Sequence, residues 1–507
     1  MIQQVRDGNY AVHGNQRPAE SWLNFNHKKA KKDVHKLQQK IYQATRDKDF
    51  RKVTRLQKLL VKSLSARYLA VRRVTTNKGG LTPGVDDILV VSPKQKWDLV
   101  EELRNLKIYR AKPIRTVYIP KKDGSKRKLG IPTIKDRAMQ ALLTCALEPE
   151  WEAKFEPNSF GFRPGRSAID AIHYIGRMFI LRKGRKPHPG WVLDADISAC
   201  FDNINHGYLL NKLKGFPFIH LVNMWLKCGA VSEIGFTLTE KGTPQGGIIS
   251  PLLANIALDG LERQFGIYTK SGFYYGPSER RGNNKLVALY RYADDFIVLA
   301  PSKKILEEHV IPTIGEFLHP IGLSFNSAKT RIVNISEGFD FLGFHFQRFT
   351  RKDGSIKEFI YSPARSRVDR FLRDLKIWIR KQQSIPVHEI IKGLNRRIRG
   401  FCNYFKWGNA HKMFAYLNHR LFRIVWNWTR HRHQRKRGAR WLKYHYWRPI
   451  PNEGWVFNYN GHRLLLPYKL TTQWWKRPPV RIHTSPFDPK SQPYWEHRKQ
   501  MSSWAFT

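Results

Sequence analysis

Residues 289–300 read LYRYADDFIVLA, and this stretch decides which fold the chain is expected to adopt. Residues that favour β-structure flank Ala293, Asp294 and Asp295, which predicts a hairpin whose tight turn places two adjacent carboxylates at its tip. Like charges side by side repel each other, and apolar strands offer no solvation that would relieve the repulsion. A divalent cation would resolve the conflict, whereas an ordinary surface turn is the alternative for an isolated pair.

A second acidic strand is predicted earlier in the chain, in VLDADISACFDNI at residues 192–204. Because side chains alternate across a strand, Asp194 and Asp196 share one face, and Leu193, Ala195 and Ile197 share the other. Unpaired charge is costly on a strand this apolar. The strand therefore supplies the second half of a candidate metal site.

The composition indicates a folded chain with a polyanionic partner. Its 507 residues suffice for two to four domains, and a hydrophobic content of 41% argues against a disordered polymer. Lys and Arg number 90 against 40 Asp and Glu, and the resulting net charge of +50 favours nucleic acid as the partner. The 16 Trp and 20 Tyr offer flat faces on which bases stack, whereas no basic amphipathic membrane anchor stands out.

Cysteine usage and hydropathy bear on the compartment. The four cysteines form no C-x-x-C pair, which argues against a zinc ribbon or a disulfide framework and for a reducing environment. No run reaches the roughly 18–20 apolar residues of a membrane span, and the opening MIQQVRDGNY lacks an apolar signal core. We expect a protein of the prokaryotic cytoplasm, associated with the nucleoid or a ribonucleoprotein, with an organellar matrix as the alternative.

Residues 114–132 predict a second hairpin, with IRTVYI and KRKLGI as its strands and a turn at residues 122–125. Five basic residues surround that turn: Lys121, Lys122, Lys126, Arg127 and Lys128. A basic fingertip of this kind can fold onto a triphosphate, and a solvated charged hairpin is the alternative. Further on, GTPQGG at residues 242–247 is a Gly-rich turn whose backbone could lie against a flat ligand.

Two regions of the chain are helical in character. Residues 1–75 are polar and predict a basic helical hairpin that braces the rest. Residues 363–450 hold 23 Lys and Arg against 3 Asp and Glu, with two apolar stripes at helical spacing, which indicates a separate helical domain that contacts phosphate. Residues 451–507 are rich in Trp, Pro and Arg and predict a small irregular appendage.

Taken in order, DISACFD (196–202), TPQGG (243–247) and YADD (292–295) resemble the reverse transcriptases encoded by group II introns. The resemblance runs from about residue 70 to about residue 445. It implies a right-hand polymerase with α/β fingers and palm and an all-α basic thumb, or maturase, domain. It divides the chain into fingers at 76–190 with a template-covering loop at 77–87, palm at 191–362, thumb at 363–450, and a reduced DNA-binding tail at 451–507.

The resemblance implies a two-metal reaction in which two Mg²⁺ ions about 3.5–4 Å apart assist nucleotidyl transfer. Asp196 and Asp294 would bridge both ions, Asp295 would be a weaker third ligand, and the Ile197 carbonyl a further contact. Asp194 and Asp202 are given structural roles. Lys329 resembles the lysine that protonates the departing pyrophosphate, with an ordinary surface lysine as the alternative.

The resemblance also implies a nucleotide site. The ring of Phe201 would clash with a 2′-hydroxyl, so deoxynucleoside triphosphates are preferred, although a plain core position is the alternative. Gln245 would pack under the incoming nucleotide, and Lys121 and Arg127 would bind its phosphates. GFDFLGF at residues 338–344 matches the strand pair that grips the primer end.

In the thumb, LNRRIRGFCNYF at residues 394–405 resembles the maturase signature. We expect group II intron RNA to contact Arg396, Arg397, Arg399 and Lys406. A DNA primer and a target DNA are the other expected partners. Because no paired cysteines and histidines follow Cys402, we also expect no second-strand cleavage by a C-terminal HNH-type endonuclease.

The function expected from these features is RNA-directed DNA polymerisation combined with binding of intron RNA to promote splicing and retromobility. A domesticated reverse transcriptase, serving defence, retron-type synthesis or a CRISPR-associated complex, is one alternative. The other is a catalytically silent RNA-splicing chaperone, against which the intact aspartates argue.

Overall fold

A computed structural model describes residues 18–120, 124, 126–180, 189–266, 287–326, 328–353, 355–470, 472 and 480–503. Within these residues, no helix combines the length and the apolar character that crossing a membrane requires.

The N-terminal region is a cluster of helices rather than the single hairpin expected for residues 1–75. Polar residues cap the N-termini of several of these helices; for example, the side chains of Asn26, Asp49 and Ser63 each accept a backbone N–H of the helix that follows. The helices of this region are α1 (Pro18–Asn24), α2 (His27–Arg46), α3 (Phe50–Lys62), α4 (Leu64–Thr75) and α5 (Pro93–Glu102).

The predicted basic hairpin is present as β1 (Ile114–Pro120) and β2 (Lys126–Ile131), paired antiparallel. Two long helices follow, α6 (Ile134–Glu152) and α7 (Ala168–Ile180). The next elements are β3 (Trp191–Asp196), α8 (Cys200–Asn203), α9 (His206–Lys212), α10 (Ile219–Lys227), β4 (Ala230–Ser232), β5 (Gly235–Thr237) and α11 (Ser250–Ala257). β4 and β5 join the hairpin in one sheet of order β2-β1-β4-β5, so residues beyond 190 complete the sheet of the basic hairpin.

The second sheet, called the catalytic sheet below, has the strand order β6-β7-β3-β8. Besides β3, its strands are β6 (Ala288–Tyr292), β7 (Asp295–Ala300) and β8 (Arg331–Asn334). Two helices, α12 (Lys303–Ile305) and α13 (Ile311–Leu318), lie between β7 and β8 in the chain. All neighbouring strands in it are antiparallel. β3 lies between β7 and β8, which brings the two acidic segments of the sequence side by side.

Two cores pack against opposite faces of the catalytic sheet. Leu193 and Ala195 belong to the core shared with the N-terminal helices, whereas Val192 belongs to the core shared with the C-terminal half. Because Asp194 and Asp196 alternate with Leu193 and Ala195, they share a face with Val192, as the strand period predicts. The sheet is therefore buried on both faces, and its polar residues lie where the strands end.

The C-terminal half consists of a three-stranded sheet of order β11-β10-β9 followed by four helices. Its elements are β9 (Phe339–Phe341), β10 (Phe344–Thr350), β11 (Ile356–Pro363), α14 (Arg365–Arg380), α15 (Val387–Phe405), α16 (His411–Arg432) and α17 (Ala439–Tyr446). Helices α14–α17 occupy the stretch in which the charge run predicted a helical domain, and we call them the helical domain below; their apolar residues share one core with α7, β3 and β6.

The tail is not the irregular appendage expected from its composition. It contains two strands and a helix, β13 (Gly454–Tyr459), β14 (His462–Arg463) and α18 (Gln492–Ser503), and the two strands form a three-stranded sheet with β12 (Trp447–Ile450), which directly precedes the tail. Its last part packs back on the first half of the chain, where Arg498 forms a buried ion pair with Asp170 and Tyr174 donates its hydroxyl proton to the Val480 carbonyl at 2.6 Å. One of the tail tryptophans, Trp495, is buried in this packing.

Candidate active site

The acidic segments meet at one end of the catalytic sheet. Asp196, the last residue of β3, lies directly opposite Asp295, the first residue of β7, in the antiparallel register. Asp294 lies in the two-residue turn that joins β6 to β7. Three carboxylates from two distant parts of the sequence are thus brought to adjacent positions, as the metal-site hypothesis requires.

The turn differs from the expectation in one respect, because only Asp294 is at its tip. Asp295 pairs with Tyr292 and is already part of β7, so the turn residues are Ala293 and Asp294. Ala293 has a φ of 60°, the left-handed conformation that tight two-residue hairpins need. The right-handed twist of paired strands favours this short turn, and the shortness places Asp295 within the ladder.

The environment of the carboxylates favours their protonated forms. Burial, followed by the charges of Asp294 and Asp196, raises the pKa of Asp295 from 3.8 to about 6. Burial also raises the pKa of Asp294, with a further contribution from Asp196 and an opposing one from Arg127 and Lys329. The carboxylates repel one another at a partly desolvated position, which is the electrostatic conflict that a cation would relieve.

Lys329 engages Asp196. Its Nζ lies 2.6 Å from Asp196 Oδ2, although the lysine side chain itself is exposed. Asn326 donates its Nδ2–H to the same oxygen at 3.4 Å. Within the described residues, no group of three or more acidic, His or Cys side chains is arranged to hold a metal ion. Because Lys329 already contacts Asp196 Oδ2, the lysine and a bound cation would compete for that oxygen.

The donor set nevertheless suits a hard divalent cation. A cavity of about 400 Å³ opens beside Lys329 and is lined by Asp194, Asp196 and Asp295. Carboxylate oxygens are the ligands that Mg²⁺ prefers, and Ile197, next to Asp196, bridges to Phe325 immediately beyond β3. Asp194 is held by Arg331, whose Nη2 lies 3.1 Å from Asp194 Oδ2, so it is less available than its neighbours.

The Gly-rich turn connects the basic hairpin to the catalytic sheet. Arg127 donates its Nε–H to Gln245 Oε1 at 2.9 Å, and Gln245 Nε2 donates to Asp202 Oδ2 at 3.2 Å. The Gly130 N–H also donates to the Gln245 carbonyl, at 2.8 Å. The structure thus brings together Arg127, Gln245 and Asp202, three residues that the sequence separates widely.

Other predicted residues of the nucleotide site have different outcomes. Phe201 is half-buried and packs against the first core, so its ring is only partly available to a ligand. A Cβ at Gly246 would collide with the Gly130 carbonyl, so the absence of a side chain here allows the close contact with β2. Lys121 lies outside the described residues.

Basic residues that sequence reasoning missed lie beside Asp295. A cavity of about 250 Å³ is lined by Asp194, Asp295, Asp340, Arg367 and Arg370. The last two belong to the first turns of α14 and follow directly on β11. Their position just after the predicted primer-gripping strands was the signal that could have identified them.

In the helical domain, Arg396, Arg397 and Arg399 are exposed on α15, and the Arg397 guanidinium lies 3.9 Å from the centre of the Trp378 ring. Lys406 is only 1% exposed, so the expectation that it contacts RNA is wrong. Its aliphatic stem and ammonium group are enclosed where α15 ends, and the ammonium lies 4.7 Å from the Trp407 ring centre. Helical periodicity does not show which lysine of a basic helix faces inward.

A second basic surface was not anticipated. A groove of about 840 Å³ runs between α14 and α16 and carries one acidic residue, Asp369, which is paired with Arg365. Its basic lining consists of Arg365, Arg373, Lys376, Arg380, Arg420, Arg423, Arg430 and Arg435, with His431 beside them. We call this surface the α14/α16 groove.

Three models of known protein families match this chain. The family model described as "Reverse transcriptase (RNA-dependent DNA polymerase)" matches residues 119–346. The "N-terminal domain of reverse transcriptase" matches residues 22–103, and the "Group II intron, maturase-specific domain" matches residues 368–447. The three matches follow one another along the chain and cover both the catalytic sheet and the helical domain.

The chain is also similar to individual proteins. The group II intron-encoded protein LtrA of Lactococcus lactis is 30% identical over 72% of this chain and 73% of its own length. Protein YkfC of Escherichia coli is 32% identical over 60% of this chain and 86% of its own length. A solved telomerase from Candida albicans overlaps 68% of this chain and 65% of its own, with a TM-score of 0.36 and 14% identity.

Proposed function

Because this chain belongs to the reverse transcriptases encoded by group II introns, we propose that it copies RNA into DNA by two-metal-ion nucleotidyl transfer at the end of the catalytic sheet. It is an RNA-directed DNA polymerase with a maturase domain, and its partner is an RNA.

We assign the metal ions to Asp196 and Asp294, with Asp295 and the Ile197 carbonyl as weaker contacts. When bound, two Mg²⁺ ions would activate the primer hydroxyl and neutralise charge on the leaving pyrophosphate. The chain's own contribution is to hold the carboxylates on adjacent strand ends, where the β3–β7 register fixes their spacing. Burial and, after it, the neighbouring carboxylates raise the pKa values of Asp294 and Asp295, which supports this role because a bound cation stabilises the ionised forms.

The incoming deoxynucleoside triphosphate is assigned to the space between the basic hairpin and the catalytic sheet. Arg127 would bind its phosphates together with Lys121, and Gln245 would lie beneath the nucleotide. Phe201 would exclude a 2′-hydroxyl. The hydrogen bonds from Arg127 to Gln245 and from Gln245 to Asp202 support this assignment, because they link the fingertip strand to α8, the helix that follows β3 of the catalytic sheet.

Lys329 is assigned the proton that the departing pyrophosphate needs. Its hydrogen bond to Asp196 raises the pKa of the lysine, so it stays protonated at neutral pH. A protonated amine beside the reacting centre can act as a general acid. Held by Asp196, the lysine is positioned within reach of the carboxylates.

The division into fingers, palm, thumb and tail follows from the same family assignment. We assign the palm to the catalytic sheet, the fingers to residues 76–190 with the template-covering loop at 77–87, and the thumb to α14–α17. Group II intron RNA would contact Arg396, Arg397 and Arg399 on α15, and target DNA the tail at 451–507. Such a protein would act in a prokaryotic cytoplasm, at the nucleoid or in a ribonucleoprotein.

The observation that carries the polymerase proposal is the position of Asp196 opposite Asp295 with Asp294 next to it. Asp294→Ala should abolish primer extension on an RNA template with Mg²⁺ while leaving RNA binding near normal, since the phosphate-binding surfaces are elsewhere. Extension is read on a denaturing gel, and RNA affinity by filter binding.

Asp194→Asn is the matched control, because Asp194 lies two residues from Asp196 on the same face but is engaged by Arg331. This variant should retain extension within about threefold, as expected for a residue that does not touch the reacting atoms. Retained extension in Asp294→Ala would remove the proposed active site. A silent splicing chaperone would bind RNA equally well in all three proteins and extend no primer in any of them.

A further inference from the structure

Arg291 lies buried beneath the turn that carries Asp294, and none of the roles assigned above uses it. Its side chain is 1% exposed, although arginine is seldom fully buried in proteins. It belongs to β6, which is flanked on its outer side by the segment around Ser159. Phe160 donates its N–H to the Arg291 carbonyl at 2.9 Å, and Arg291 donates its own to the Asn158 carbonyl at 3.0 Å.

The guanidinium holds the turn through one nitrogen. Arg291 Nη1 donates to the Ala293 carbonyl at 3.1 Å and to Asn255 Oδ1 at 3.0 Å. Asn255 is also buried, and its Nδ2 donates onward to the Gly161 carbonyl at 2.8 Å. A Cβ at Gly161 would lie 2.9 Å from the Tyr292 carbonyl carbon, so the backbone there packs directly on the turn.

The rest of the guanidinium contributes little hydrogen bonding. Within the described residues, Nε and Nη2 of Arg291 are buried without a hydrogen-bond partner. Its charge is balanced through space by the buried Glu156 and Asp259, which oppose the effect of burial on the pKa of the arginine. Unpartnered buried donors lower stability, so the bonds that Nη1 makes are the ones that explain an arginine here.

We propose that Arg291 is a positioning residue that sets the direction of the Asp294 carboxylate, a proposal that rests on the assignment of Asp294 as a metal ligand. Ala293 is left-handed, with a φ of 60°, a conformation that a residue other than glycine keeps only where its surroundings hold it. The Nη1 bond to the Ala293 carbonyl fixes the peptide between Ala293 and Asp294. Fixing that peptide fixes how the Asp294 side chain leaves the turn.

Arg291→Gln tests the proposal, because it keeps a short donor and removes the reach of Nη1. We expect kcat for primer extension to fall about 100-fold, the loss that a small misplacement at a reacting centre causes, with KM for the deoxynucleotide nearly unchanged. Mn²⁺ binding to the protein without nucleotide, measured by the EPR signal of the free ion, should weaken about tenfold. Arg291→Lys, which keeps the charge without the planar fork, should fall between wild type and Arg291→Gln.

Arg67→Gln is the control for losing a buried arginine. Arg67 is 6% exposed and donates Nη1 to the Val100 carbonyl at 2.7 Å in the N-terminal helices. This variant should lower thermal stability but leave kcat per folded molecule and Mn²⁺ affinity unchanged. Equal losses in Arg67→Gln and Arg291→Gln would overturn the positioning role.

Asn255→Ala tests the same hydrogen-bond chain from its other end and serves if Arg291→Gln does not fold. It should weaken Mn²⁺ binding in the same direction, and combining it with Arg291→Lys should add less than the sum of the two effects, because both act on one chain of contacts. Unchanged Mn²⁺ affinity in folded Arg291→Lys and Asn255→Ala would overturn the proposal. The Mn²⁺ titration decides it even if wild type extends no primer, a result that would count against the polymerase assignment alone.

Discussion

Lys329 is a residue for which two physical roles make opposite predictions. Its Nζ is 2.6 Å from Asp196 Oδ2, where its positive charge could serve only to neutralise the carboxylate. Alternatively it delivers a proton to pyrophosphate. Substituting arginine for Lys329 distinguishes the two roles, because arginine supplies the same charge but does not release a proton in proteins.

Lys329→Arg and Lys329→Met should therefore both lower kcat about 100-fold if proton delivery is the role, because loss of a general acid costs at least that much. KM for the deoxynucleotide should change little. Single-turnover primer extension measures the rate constants. A wild-type rate in Lys329→Arg, with a slow Lys329→Met, would show that charge alone is needed.

Asp295 makes the binding of a cation depend on pH. Its pKa is raised from 3.8 to about 6, so the folded chain keeps this proton to a higher pH than an unfolded chain does. Ionising Asp295 therefore costs folded-state stability as the pH rises through that window, and a bound cation recovers this cost. Below about pH 6 a cation must first displace the proton.

The Mg²⁺ concentration that gives half-maximal extension should accordingly rise up to about tenfold per pH unit below about pH 6 and level off above it, as expected for competition with one proton. Mg²⁺ titrations of wild type and Asp295→Asn measure this. The variant should require more Mg²⁺ at every pH and lose the dependence in this window. Equal requirements for Mg²⁺ on both sides of pH 6 in wild type would contradict the assignment of Asp295.

At the scale of elements, the C-terminal helix α18 is fastened to the first half of the chain. Arg498 and Asp170 are both buried and form an ion pair, and Asp170 also accepts the Ser167 N–H at 2.9 Å. Trp495 packs at Gly165, where a Cβ would lie 2.5 Å from the nearest atom of the indole ring. The helix thus covers the loop that leads into α7.

Arg498→Met should destabilise the protein by about 3 kcal/mol, because it leaves a buried carboxylate without its cation. Chemical denaturation measures this loss, and limited proteolysis should cut within residues 480–503 sooner than in wild type. Lys499→Met is the control at the neighbouring exposed position and should change stability by less than about 0.5 kcal/mol. Equal stability in the two variants would show that the ion pair contributes little.

At the scale of the whole molecule, residues 363–450 carry 23 Lys and Arg against 3 Asp and Glu and so contribute +20 to the net charge of +50, and two of their surfaces are strongly basic. One is the exposed face of α15 with Arg396 and Arg399, and the other is the α14/α16 groove. Both present several cations with few acidic neighbours, as expected for contact with a phosphate backbone. Two further arginines of α14, Arg367 and Arg370, line the separate cavity beside Asp295.

Reversing two charges on either surface should weaken RNA binding and flatten its salt dependence. Arg396→Glu with Arg399→Glu, or Arg373→Glu with Arg423→Glu, should each reduce the slope of log affinity against log salt by about 1.5–2. Filter binding across a salt series measures the slopes.

Lys303→Glu with Lys304→Glu is the control, since these lysines are paired with Glu307 and Glu308 and offer little free charge. It should leave the slope unchanged. An unchanged slope in the Arg396 and Arg399 variant would contradict the α15 surface, and an unchanged slope in the Arg373 and Arg423 variant would contradict the groove.

Features that depend on residues adjacent in the chain could be predicted from the sequence. The period of two placed Asp194 and Asp196 on one face, and the YADD segment predicted a hairpin with a tight turn, because strand alternation and turn geometry are local properties. The basic helical domain followed from composition in the same way. The position of Asp295 within β7 and the burial of Lys406 could not be predicted, because both depend on which neighbours pack alongside.

The sequence by itself determined the acidic strands, the basic hairpin, the polyanionic partner and the resemblance to a family. Only the tertiary structure decided that Asp196 lies opposite Asp295, that Arg127 reaches Gln245, and that Arg291 supports the turn from beneath. These contacts join segments that are far apart in the chain. Their formation is set by strand register and by burial between two cores, and neither leaves a periodic signal in the residues themselves.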